Sequence, residues 1–187
     1  MPKISDSKIL ILATHGFEQS ELEAPRDKLR GVGAHVDVAS LDGRPIKGWS
    51  GDDWGDTVPA DVDFNEVSTG DYDALILPGG QINPDILRTK PKVVEFIRTF
   101  FNEKKIIAAI CHGPWLLVEA DIVKGRKLTS YHSIKTDVIN AGAEWKDEAV
   151  VNDQGFITSR NPGDLDAFVS KIIEEVEEGR HTQRAVA

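Results

Sequence analysis

The chain has 187 residues, enough for one domain that buries its own core. Its 31 acidic residues against 22 basic give a formal charge of −9, which argues against general binding to nucleic acid or to an anionic membrane. A single cysteine excludes an internal disulfide framework and a cysteine-rich zinc site, so an intracellular, cytoplasmic protein without a metal is expected. No long apolar segment precedes Lys8, so no signal peptide is expected, and no apolar run approaches the ~20 residues of a membrane helix.

Lys8 to Ala13 is an unbroken apolar run, the pattern of a parallel strand buried on both faces. Thr14 to Glu18 follows at its carboxyl end, where ligands of open parallel sheets collect. Ser20 with Glu23 predicts a capping box, with Leu22 and Leu29 on one helical side, Pro25 within the helix, and Gly31 and Gly33 at its end. Ala34 to Ala39 alternates as a second strand, with His35 at its surface or edge. Leu41 to Pro59, rich in Gly and Asp, predicts loops and a short hairpin, in which Trp49 and Trp54 are expected to plug against the core. Asp73 to Leu77 is the third buried strand, and it ends in Pro78-Gly79-Gly80, where backbone amides can approach a ligand.

Asn83-Pro84-Asp85 opens a turn or short helix, and Asp85 suits a first helical turn. Val93, Val94, Ile97, Phe100 and Phe101 trace a helical face, with Pro91 at its start. Ile106 to Ile110 is again continuously apolar and runs straight into Cys111, with Ala109 two residues before it and Gly113 two after. A nucleophile on a sharp strand-to-helix elbow needs small neighbours at those offsets, because the backbones crowd there. A helix opening directly after Cys111 would favour the thiolate through its dipole. Ile134, Val138 and Ile139 mark a short helix, and Val150 to Ile157 a hairpin across Asn152 to Gly155. Leu165 to Val176 is a closing amphipathic helix with a solvated glutamate face, followed by a frayed tail from Arg180. There are no internal repeats, no P-loop and no dinucleotide fingerprint, so no cofactor is expected.

The motifs Ala-Ile-Cys-His-Gly-Pro at 109–114, Leu-Ile-Leu-Pro-Gly-Gly at 75–80 and Gly-Arg-Lys-Leu-Thr-Ser-Tyr at 125–131 resemble the PfpI family of the class I glutamine amidotransferase-like superfamily. Gly-Phe-Glu at 16–18, Asn-Ala-Gly-Ala-Glu-Trp at 140–145 and Ser-Arg-Asn-Pro-Gly-Asp-Leu at 159–165 fall in the same order. The resemblance implies an α/β fold: a doubly wound, mostly parallel, flavodoxin-like sheet sandwiched by helices, as a single domain over 1–187 with a core at about 8–178 and short flexible tails. It also implies a homo-oligomer, a dimer or larger.

For the site, the resemblance implies Cys111 as nucleophile, His112 beside it and Glu18 as the carboxyl next to the thiol. Tyr131 and His132 are expected to fold over the opening. Amides at Gly79, Gly80 and His112 are expected to form an oxyanion hole. Asp85 matches a carboxylate that, in peptidase-like members, reaches a neighbouring subunit and orients the histidine; here it is Asp rather than Glu, on a loop one residue longer. An ionised carboxylate at Glu18 would push the thiol pKa up, so a protonated Glu18 sharing its proton with Cys111 is expected. Two enzyme classes follow: attack on a small carbonyl (glutathione-independent glyoxalase or deglycase), or on a peptide amide (intracellular cysteine peptidase). The alternative is a redox-sensing or chaperone-like general stress protein in which Cys111 is oxidised.

Overall fold

A computed structural model describes residues 2–182, 184 and 185. In chain order the elements are β1 (Lys8–Leu12), β2 (Phe17–Glu18), α1 (Gln19–Gly31), β3 (His35–Ser40), β4 (Ile46–Ser50), β5 (Asp53–Val58), β6 (Val62–Asp63), β7 (Ala74–Leu77), α2 (Ile82–Leu87) and α3 (Pro91–Asn102). They continue as β8 (Ile106–Ile110), α4 (Pro114–Glu119), β9 (Lys127–Leu128), α5 (Lys135–Asn140), β10 (Glu144–Trp145), β11 (Val150–Asn152), β12 (Phe156–Ser159) and α6 (Leu165–Glu178).

Seven strands form the central sheet in the order β11-β12-β8-β7-β1-β3-β6. All neighbours are parallel except β11 and β12, which make an antiparallel hairpin at one edge. The unbroken apolar runs follow from this placement, since successive side chains point to opposite faces and helices cover both. Leu10, Leu75, Leu77 and Ile107 pack on one face with Val93, Ile97 and Phe100 of α3 and Leu116 of α4. Ile9, Ile11, Ile76 and Ile110 pack on the other with Leu22 and Leu29 of α1 and Phe168 and Ile172 of α6. Each such fully buried side chain contributes about 1.5–3 kcal/mol. This is the doubly wound, flavodoxin-like architecture expected from the sequence.

Several local expectations are corrected. Helix α1 opens at Gln19 without a side-chain cap, and Ser20 Oγ donates to Glu18 Oε1 at 3.3 Å instead of forming a capping box with Glu23. Trp54 does not plug the core: it is 44% exposed on the β4–β5 hairpin and meets Trp49 edge-on at 5.6 Å. Ile139 points outward, while Ile134 and Val138 supply the buried face. Glu175 is buried rather than solvated, because Asn152 and His181 both bond its carboxylate.

The expected frayed tail is anchored at Arg184. Its guanidinium is 1% exposed, donates to Phe101 O and Lys105 O at 2.8 Å each, and lies 4.7 Å from the Phe101 ring. Positions 183, 186 and 187 of that tail lie outside the described residues.

Candidate active site

The carboxyl ends of β1, β7 and β8 converge on one opening, a cavity of about 440 Å³ lined by Glu18, Glu21, Trp49, Gly80, Cys111, His112 and Tyr131, among others. A second cavity, of about 250 Å³, lies at the opposite ends of the strands beside Ser7, Asp73 and Ile106 and contains no nucleophile. The chemistry therefore sits where parallel sheets place it.

Cys111 occupies the first position after β8 with φ 62°, a left-handed conformation that costs a non-glycine residue about 1–2 kcal/mol. Flanking bonds hold it there. Cys111 N–H donates to Ser159 O at 3.0 Å, Tyr131 N–H to Cys111 O at 2.8 Å, and Gly113 N–H to Ile110 O at 2.8 Å. The small neighbour after it is obligatory, because a Cβ on Gly113 would lie 2.5 Å from Leu77 O. The following helix begins only at Pro114, one turn beyond the cysteine, and is six residues long. Burial pushes the thiol up, as would an ionised Glu21, and this outweighs the lowering by the Gly80 and His112 amides that face the sulfur. The expected helix start directly after Cys111 is thus corrected to one turn further on, and burial opposes the thiolate.

Glu21, not Glu18, is the carboxyl against the sulfur. It is fully buried, Oε2 accepts from Gly79 N–H at 2.8 Å, Oε1 has no hydrogen-bond partner among the described residues, and the carboxyl lies beside the Cys111 thiol. A Cβ on Gly79 would meet Glu21 Oε2 at 2.6 Å and Cys111 Cβ at 2.7 Å, so the two groups converge on that glycine. Desolvation by burial raises the Glu21 pKa to about 8, so the carboxyl is protonated at neutral pH and can donate toward sulfur. Glu18 precedes α1, pairs in β2 opposite Trp49 and stands at the same cavity, its pKa also raised, chiefly by burial. Helical geometry separates the two: Glu21, Leu22, Pro25 and Leu29 are the buried residues of α1, and Glu18 lies before its first turn. A carboxylate on a stripe that otherwise faces the sheet was the available signal.

The glycine loop divides its labour. Gly79 N–H is committed to Glu21, so the amides that face the sulfur are those of Gly80 and His112. Gly80 has φ 77°, and a Cβ there would lie 2.3 Å from Gly16 O. Asn83, which sequence reasoning missed, is fully buried and clamps two strand ends together. It donates to Pro78 O at 2.9 Å and Gly79 O at 3.2 Å, and accepts from Thr14 N–H at 2.8 Å.

His112 Nδ1 lies 3.1 Å from Cys111 Sγ, and its Nε2 lies 3.1 Å from Ser133 Oγ. Tyr131 stacks on the imidazole at 4.8 Å, and burial lowers the His112 pKa to about 4, so the ring is neutral at pH 7. Asp85 is not brought to His112 within the chain, because its exposed carboxylate takes two bonds from Arg88, at 2.8 and 3.1 Å. His132 stacks on Tyr131 at 4.4 Å but opens onto a neighbouring hollow with Trp145 and Arg160 instead of the cysteine cavity. Trp49 joins the cavity wall, its Nε1–H donating to Gly51 O at 2.8 Å. Away from this site, Glu175, Glu178 and His181 bring ligand-type atoms within 4.8 Å of one another. No helix among the described residues is long and apolar enough to cross a membrane.

The same arrangement of chain is found in known proteins. The DJ-1/PfpI family matches residues 7–175. "Deglycase PfpI" of Pyrococcus furiosus is 43% identical over 167 residues, covering 89% of this chain and 98% of that protein. "Putative cysteine protease YraA" of Bacillus subtilis is 40% identical over 162 residues, covering 86% of this chain and 93% of that one. A crystal structure from Anabaena variabilis, a two-domain protein with DJ-1/ThiJ/PfpI-like and ferritin-like domains, is 34% identical with a TM-score of 0.86. That match covers 96% of this chain and 52% of the other, so the present chain spans about half of it.

Proposed function

Because this chain belongs to the DJ-1/PfpI family, we propose that it is a cysteine-dependent enzyme acting on small reactive carbonyls, as a glutathione-independent glyoxalase or deglycase. The observation that carries this reading is the Cys111 thiol held between the buried Glu21 carboxyl and His112 Nδ1, 3.1 Å from the sulfur, in a cavity of about 440 Å³. A three-carbon dicarbonyl fits such a space. Burial opposes ionisation of the thiol, so a base takes its proton as sulfur attacks, and His112 Nδ1 is within reach at 3.1 Å.

With methylglyoxal, sulfur adds to the aldehyde carbon while the thiol proton passes to Nδ1. The alkoxide that forms lies by the Gly80 and His112 amides and takes that proton, giving a hemithioacetal. His112, with Glu18 at the mouth, takes the proton on the former aldehyde carbon and delivers it to the neighbouring carbonyl oxygen, giving an enediol; the hydroxyl proton on the sulfur-bearing carbon then passes to the neighbouring carbon, and a lactoyl thioester results. Water then releases lactate and restores the thiol. Overall, methylglyoxal and one water become lactic acid. Glu21 stays protonated and positions the sulfur throughout.

A peptidase reading draws on YraA's name and on the cysteine–histidine pair. It asks for an acid on the histidine, and Asp85 pairs with Arg88 within the chain; the trans role of Asp85 in a homo-oligomer belongs to this second reading. The enzyme readings are favoured over the non-catalytic sensor by the deglycase and protease names among relatives. The expected setting is a single-domain cytoplasmic protein assembled as a dimer or larger.

The test is lactate formation from methylglyoxal without glutathione, beside Cys111→Ser and a peptide-hydrolysis assay on the same preparation. Lactate lost in Cys111→Ser supports the carbonyl reading; cysteine-dependent peptide cleavage without lactate moves it to the peptidase.

A further inference from the structure

We propose that Ser133 is the positioning residue of His112: its hydroxyl oxygen accepts the Nε2–H, which fixes the tautomer whose Nδ1 lone pair faces the Cys111 thiol. This inference deepens the function proposed above and rests on His112 being the base in that reading.

The geometry around the sulfur decides the tautomer. The Gly80 and His112 amides face the Cys111 sulfur from the backbone side, and the buried Glu21 carboxyl lies beside it. The thiol has one hydrogen to give, and His112 Nδ1, 3.1 Å from the sulfur, is the ring nitrogen placed to accept it. Nδ1 is therefore the acceptor, the ring proton is on Nε2, and Ser133 Oγ, 3.1 Å away, receives it. Ser133 is exposed in the short 3₁₀ turn His132–Ile134, so its own hydroxyl hydrogen can turn to solvent.

Each charged or titratable group around the ring is otherwise placed. Glu18 and Glu21 face the cavity from the start of α1, Cys111 precedes the ring in the chain, and Tyr131 stacks on it with His132 behind. Arg88, just after α2, lies over the Trp115 indole, 4.7 Å from its centre, and is paired with Asp85. None of these groups occupies Nε2. A neutral hydroxyl there, in place of a carboxylate, leaves the imidazolium formed on proton transfer less stabilised, in keeping with a ring that is a weak base.

The proton step balances within the site. The S–H bond breaks, the proton bonds to Nδ1, the S–H electron pair stays on sulfur and attacks the electrophile, and the Nε2–H stays bonded to Ser133 Oγ.

The experiment measures the second-order rate of Cys111 alkylation by iodoacetamide from pH 4 to 10 in the full chain and in Ser133→Ala, Ser133→Thr and Ser133→Asp, with methylglyoxal turnover measured in parallel. Ser133→Ala is expected to slow alkylation at pH 7 about tenfold and to lower kcat with little change in KM. Ser133→Thr, which keeps the hydroxyl, is expected to recover the wild-type rate within about twofold, and Ser133→Asp to move the acid limb of the pH profile upward. A Ser133→Ala profile superimposable on wild type overturns the proposal, as does a Ser133→Thr rate as low as that of Ser133→Ala. A slowed Asp85→Asn beside an unchanged Ser133→Ala would also overturn it and return the orienting role to Asp85 of a neighbouring copy. Alkylation needs no carbonyl substrate. If no lactate forms but Ser133→Ala still slows alkylation, the proposed function fails and this inference stands.

Discussion

Replacing Glu21 with Gln should flatten the dependence of folding stability on pH. In the folded chain burial holds this carboxyl's pKa at about 8, against 4.5 for an ordinary glutamate. Between those values the unfolded chain has released a proton that the folded chain retains. Stability therefore falls as pH rises, by up to about 1.4 kcal/mol per pH unit, is unaffected below the unfolded value, and levels off once pH passes the folded one. From pH 5 to pH 7 the accumulated loss from this one group is about 2.5 kcal/mol. Glutamine does not titrate, so the difference between wild-type and Glu21→Gln urea-unfolding free energies at pH 5, 6 and 7 isolates the group while the other carboxylates cancel. Wild type should lose about 2.5 kcal/mol more than the variant over that interval. Parallel curves would refute the assignment of a buried, protonated Glu21.

The two carboxyls should also separate in turnover. Glu21→Ala is expected to lower kcat/KM for methylglyoxal about 100-fold, and Glu18→Gln less than about tenfold, in the lactate assay; the reverse order would put Glu18 back against the sulfur. Asn83→Ala leaves the Thr14 amide and the Pro78 and Gly79 carbonyls without their buried partner. It should cost about 2–4 kcal/mol in urea unfolding and lower turnover by loosening the glycine loop. Arg184→Ala removes the bonds to Phe101 and Lys105 and should cost about 2–4 kcal/mol, whereas a loss below about 0.5 kcal/mol would make the tail the frayed end that its composition suggests.

The fold was largely legible because its strongest determinant is local. A strand covered by helices on both faces must be apolar at every position, and Lys8 to Leu12, Ala74 to Leu77 and Ile106 to Ile110 carry that requirement openly. Cys111 was legible for a similar reason, since crowding at the elbow demands Gly113. The site's second half was not. Glutamates on a helix are usually solvated, and only the helical phase of Glu21 with Leu22, Pro25 and Leu29 sets it apart from Glu18 and Glu23. Arg184 and Glu175 were read as surface residues because what buries them is distant in sequence: Phe101 and Lys105 for one, Asn152 for the other. Within one chain Asp85 pairs with Arg88, one helical turn on, and its expected reach to a neighbouring copy is a matter of assembly that one chain's sequence does not carry.

The cavity is assembled from two sets of segments. Its reactive pair rides on β8 and α1, elements locked into the sheet and its covering helices, while Trp49 and Ile82 belong to the outlying β4–β5 hairpin and the short α2. Substitutions at the rim change which molecules enter without disturbing the sulfur and its carboxyl, and substitutions under the sulfur change reactivity without reshaping the entrance. Chemistry and selectivity are thus separately heritable, so one ancestral thiol can be handed down intact while lineages diverge in what they offer it.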